Sequence, residues 1–147
     1  MKKNILFLLL CFPLIGLACD QCHCFHRFNI VIQNNTPVIC HVTQTEVEVG
    51  TVVSKKFPAQ VSVGETAVLS SIQTNYADRA KMRFSLQCGE DKFVTFDSER
   101  TLDFGFFSET EHVLGSIVSL SNMDASYRGD HEQCKKSIPS TIYWDVH

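Results

Sequence analysis

A chain of 147 residues with a formal net charge of −3 is long enough to bury the core of one ordinary domain, and the 44% of hydrophobic residues supply it. The mildly acidic balance argues against nucleic acid or anionic lipid as the main partner, because both recruit proteins through a basic surface. The pairs Lys55/Lys56 and Lys135/Lys136 are too small to reverse it and read as solvated faces.

The chain opens with Lys2 and Lys3 and then runs almost uncharged from Ile5 to Ala18, ending in Gly16, Leu17 and Ala18. A positive start, a short apolar core and small residues before the cut describe a secretory signal peptide over 1–18. The mature domain is then 19–147, of formal charge −5 once Lys2 and Lys3 are gone, in a secreted or periplasmic compartment. The apolar run is too short to remain as a membrane-spanning helix. Cys11 leaves with the signal, and Cys19, Cys22, Cys24, Cys40, Cys88 and Cys134 remain, an even set in an oxidising compartment and so six disulfide candidates.

Beyond the cysteine cluster come short β-rich runs broken by turn residues. They are 28–33, stopped by Asn34, Asn35, Thr36 and Pro37; 38–49, stopped by Gly50; 51–57, closed by Pro58; 59–63, turned by Gly64; and 66–73. The later runs are 81–88, 92–96, 111–121 and 140–146, with 122–136 expected as a long loop held by Cys134. Val47 and Val49 alternate with Glu46 and Glu48, and Met82, Phe84 and Leu86 with Arg83, Ser85 and Gln87, the period of half-buried strands. No window has a helical period. The expected fold is all-β: a single antiparallel β-sandwich of about eight or nine short strands, disulfide-stapled.

Asn34, Asn35 and Thr36 in IVIQNNT, the turn Gly50, and Gly64 in VSVGETAVL resemble the early strands of aegerolysin-type proteins. The resemblance spans roughly the first third of the mature chain. It implies a small β-sandwich and, as a partner, a membrane lipid; no site residue follows from it.

Four readings compete for the stretch 17–28. Cys19, Cys22 and His23 fit the C-x-x-C-H haem motif, but the first thiol would be the mature N-terminus, Cys24 would compete, and the helical setting is missing. No cofactor is therefore expected. Cys22, Cys24 and His26 would point the same way along an extended strand, and His23 and His41 could add nitrogens, a ligand set suited to zinc or Cu(I). The second half of a zinc motif is absent. Cys19 directly after Ala18 also suits a lipid anchor, although Gly16 stands where a lipobox has leucine and five cysteines would be left over. The fourth reading, a structural staple, has Cys19, Cys22 and Cys24 tying the N-terminal segment to Cys40, Cys88 and Cys134.

The other motifs are bland. Arg128, Gly129 and Asp130 spell an integrin-type tripeptide in an expected loop, and a turn explains them. Asp103, Phe104 and Gly105 lack every other kinase element, and His131 with Glu132 lacks a second histidine. Glu46 and Glu48 read as the solvated side of a strand, and Phe104, Phe106 and Phe107 as core. The leading expectation is an exported sandwich without catalytic activity that binds a protein, glycan or lipid ligand through its loops. An envelope metal-binding protein, a membrane-lipid binder and a small hydrolase are the alternatives.

Overall fold

The computed structural model describes residues 27–53, 57–74, 79–104, 109–129 and 139–147. These residues form ten strands: β1 (Arg27–Asn34), β2 (Cys40–Val49), β3 (Thr51–Val52), β4 (Gln60–Val61), β5 (Thr66–Gln73), β6 (Arg79–Cys88), β7 (Lys92–Phe104), β8 (Glu109–Ser121), β9 (Ala125–Gly129) and β10 (Ser140–Val146). They make two five-stranded sheets, ordered β3-β5-β1-β10-β9 and β4-β2-β6-β7-β8.

The alternation that marked the strands sets which side chains meet between the sheets. In β6, Ala80, Met82, Phe84, Leu86 and Cys88 are buried and the residues between them are more exposed. They face Phe28, Ile30 and Ile32 of β1 and Ile142, Trp144 and Val146 of β10 in one core. Phe84, Phe96 and Trp144 form a tilted aromatic stack, with ring centroids 4.9 and 4.2 Å apart. The Trp144 indole N–H donates to Ser98 Oγ at 2.9 Å, so the one polar atom of the largest buried side chain is satisfied from the opposite sheet.

The all-β sandwich is as expected, with differences in detail. Every strand pair is antiparallel except β1 with β10, which run parallel from Phe28 beside Ser140 to Asn34 beside Val146. The C-terminal strand enters between β1 and β9, a non-local choice that period-two patterning does not encode. The strand expected over 51–57 ends at Val52. The run 92–96 continues to Phe104, which makes Asp103 and Phe104 strand residues. The expected loop 122–136 contains β9, so Arg128 and Gly129 lie in a strand paired with β10; Asp130, His131, Glu132 and Cys134 lie outside the described residues.

Gly50 turns the chain from β2 in one sheet to β3 in the other. Its φ of +102° and a would-be Cβ only 2.6 Å from Ile72 Cγ2 leave no room for a side chain.

Candidate functional site

At one end of the sandwich Asn34 closes β1 and is wholly buried. Its Nδ2 donates to the carbonyls of Val38, 2.8 Å, and Val61, 3.0 Å, and its Oδ1 accepts from the Thr36 N–H at 3.0 Å. The Thr36 hydroxyl lies 2.7 Å from Asn34 Oδ1 and 2.9 Å from the Val38 oxygen, and it donates to one of them. The Asn34 backbone is equally engaged: its N–H donates to Glu65 O and its carbonyl accepts from Gly64 N–H. One buried amide therefore holds two loops, 35–39 and 62–65, in a fixed relation. A buried polar group satisfied on every side makes a rigid junction, because any departure leaves donors and acceptors bare in a dry place.

The second loop is a tight turn in which Glu65 N–H donates to Ser62 O at 3.1 Å and Gly64 has a φ of +72°, the left-handed position that favours glycine. The Glu65 carboxylate accepts from the Ser62 N–H at 2.7 Å, and this bond holds its carboxyl below the ordinary value. Cys40 stands opposite Val61 where β2 and β4 pair, so Ile39 and Val63 lie just past the paired residues on neighbouring loops. Both are exposed, Ile39 to 43% and Val63 to 55%, with Pro37 exposed beside them. The exposed carboxylates around this end are Glu65, Glu90, Asp91 and Asp124, and they outnumber the half-exposed Lys92 opposite Cys88. The platform thus offers apolar tips in an acidic frame.

Cys40 and Cys88 face each other on β2 and β6 at this same end and are bonded to one another. This corrects the expectation that they receive the N-terminal cysteines: register places them side by side, and a bridge between neighbours consumes both. Cys19, Cys22, Cys24, His23 and His26 lie outside the described residues. His41, considered as an extra ligand, sits in β2 opposite Gln60 and Gln87.

Three other places carry polar chemistry. On the outer face of the second sheet, Arg83 makes a two-pronged pair with Asp97 at 2.7 and 2.8 Å, Lys81 bonds Glu48 at 2.7 Å, and Arg79 bonds Glu99 at 2.5 Å. Glu48 is thus tied into a strand-to-strand ladder, and Glu46 beside it is exposed opposite Arg83, as expected for a solvated face. Between the sheets at the far end, the fully buried Arg100 donates through Nε to Glu111 and to Ser140 Oγ and through Nη1 to Thr74 Oγ1. That cluster joins β7 and β8 to β10 and the end of β5; its Nη2 has no partner among the described residues. An open groove of about 150 Å³ runs between Val42–Thr45 and Phe57–Ala59. No group of three His, Cys, Asp or Glu among the described residues is placed to hold a metal ion. No described helix is long and apolar enough to cross a membrane.

Sequence reasoning identified Asn34, Thr36 and Gly64 as turn residues but not as a single junction. The signal was there: two turn clusters at the ends of predicted strands, with a polar residue ending an otherwise apolar run.

No family model matches the chain, and no curated protein matches it in sequence. Among solved structures it is similar to the lipid-binding protein Nakanori, with a TM-score of 0.57 over 84% of this chain and 72% of that one, at 8% sequence identity. The likeness is one of fold: this chain is a β-sandwich of the kind seen in a lipid-binding protein.

Proposed function

We propose that this protein is an exported, non-catalytic β-sandwich that binds a lipid surface of neutral headgroups through the loop platform built on Asn34. The observation that carries the reading is the Asn34 junction, which fixes two loops whose tips, Ile39 and Val63, are apolar and exposed. A rigid presentation suits recognition, because little ordering is left to be done on binding. The sandwich likeness to a lipid-binding protein supports the same choice of ligand class. The acidic frame favours a neutral surface over an anionic one. The charged start and apolar core of residues 1–18 support export.

Burying an aliphatic side chain is worth roughly 1.5–3 kcal/mol, and two half-exposed tips supply a part of that each. Mature protein should therefore sediment with phosphatidylcholine vesicles. The double variant Ile39→Ser, Val63→Ser should lose about tenfold or more of that affinity at an unchanged melting temperature. Failure of the wild type to sediment, or equal sedimentation of the double variant, would defeat the reading.

A further inference from the structure

Asn34, Asn35 and Thr36 spell the one Asn-x-Ser/Thr sequence in the chain, the acceptor motif for an asparagine-linked glycan. In the folded sandwich both of its working residues are out of reach: Asn34 is 0% exposed and Thr36 1%. Asn34 Nδ2 has two hydrogens, and it gives them to Val38 O at 2.8 Å and Val61 O at 3.0 Å. The Thr36 hydroxyl is enclosed with them, against Asn34 Oδ1 and Val38 O. A glycan, by contrast, is bulky and belongs on a surface.

Sheet order delays this enclosure until late in synthesis. β1 lies between β5 and β10, with Asn34 in register beside Val146. The Asn35 N–H donates to Val146 O at 2.8 Å, so the last strand closes over the motif. A chain that emerges N-terminus first leaves Asn34 open until Val61 and then Val146 follow, an interval on the order of ten seconds at ordinary rates of synthesis.

We propose that Asn34 is a glycan acceptor only in the unfolded chain, and that a glycan there excludes the folded sandwich. The donor is a polyprenyl pyrophosphate-linked oligosaccharide. Its sugar C1–O bond breaks, the pyrophosphate leaves with the electron pair, Nδ2 bonds to C1, and the proton lost from Nδ2 goes to solvent. The modified amide keeps one hydrogen for two buried carbonyls and carries a sugar into a junction with no exposed surface. This holds whether or not the loop platform binds lipid.

The test uses the full chain in two states: native, with the Cys40–Cys88 bond intact, and reduced and alkylated, so that these two buried cysteines cannot re-enter the core. Each is incubated with purified oligosaccharyltransferase and a dolichol-linked oligosaccharide and followed by intact mass. The alkylated chain should gain one glycan, on Asn34, and none when it carries Thr36→Val. The native chain should be modified about 10³-fold more slowly or not at all, because a stable domain is unfolded to that small an extent. A second arm translates the chain into endoplasmic-reticulum microsomes behind a proven cleavable signal, so that entry does not depend on residues 1–18. Translocated product should carry the glycan and be digested roughly tenfold or more faster than product made without the lipid-linked donor. Equal modification of native and alkylated chains, an alkylated chain left unmodified, a translocated chain without glycan, or a glycosylated product as resistant as the unmodified one would each overturn the proposal.

Discussion

Cys40 and Cys88 stand directly opposite each other on β2 and β6 and are joined, with Cα atoms 4.0 Å apart and a separation of 48 positions in the sequence. Both are buried beside the loop platform, and the Thr36 hydroxyl lies 3.8 Å from Cys40 Sγ. The bond therefore fixes the start of β2, where the loop carrying Ile39 is anchored. Replacing both cysteines by alanine should lower stability by roughly 2–4 kcal/mol, the usual effect of freeing a long loop in the unfolded chain. Chemical denaturation of oxidised wild type against the variant measures it, and equal midpoints would show that the strand pairing holds without the bond.

The parallel pairing of β1 with β10 gives a second expectation. Phe28 lies beside Ser140, so the segments that lead into these strands reach the sandwich at the same end, opposite the Cys40–Cys88 bond. One of those segments carries Cys19, Cys22 and Cys24, and the other carries Cys134. Peptide mapping of exported, non-reduced protein should link Cys134 to one of the three. Three or more free thiols together with about one metal ion per chain would instead favour a thiolate and imidazole site, with His26 and His23 the next residues to replace.

Asn34→Ala should be among the more damaging single changes. It removes the two bonds to Val38 O and Val61 O and the acceptor for Thr36 N–H, leaving buried groups bare. A loss of roughly 2–4 kcal/mol is expected, together with weaker vesicle binding as the two loops separate. Asn35→Ala, an exposed neighbour, is the control and should change stability little. Comparable melting temperatures for the two variants would mean that the junction is not a source of stability.

Asp97 predicts the acid response. The hydrogen bond from Arg83, with the Arg83 charge and Lys81 behind it, outweighs partial burial and holds its carboxyl below the ordinary 3.8. A carboxyl lowered in the folded state binds its proton more readily when unfolded, so its contribution is complete above the unfolded value and is lost as pH falls through the folded one. The melting temperature of the wild type should exceed that of Asp97→Asn near neutral pH, and the gap should close as the solution is acidified below 3.8. A gap that stays constant into acid would place the effect of the substitution elsewhere than in the ion pair.

The sequence by itself determined most of the elements and their faces, with β9 hidden in an expected loop and the extents of β3 and β7 left to the structure. Alternation along Met82, Phe84 and Leu86 is a local property of a pleated strand, so it names both the strand and its buried side without knowledge of the neighbours. Turn residues at Asn34, Gly50 and Gly64 likewise marked where strands stop, because their conformations are properties of a few adjacent residues. Only the tertiary structure decided the partners. That Cys40 meets Cys88, that β10 enters parallel between β1 and β9, and that Asn34 reaches Val61 are contacts between segments far apart in the chain. The same holds for β8: its apolar residues have the composition of a core strand, yet Leu114, Ile117, Val118 and Leu120 stand exposed among the described residues. Local patterning fixes which face of a strand is apolar, and sheet order alone fixes what that face meets.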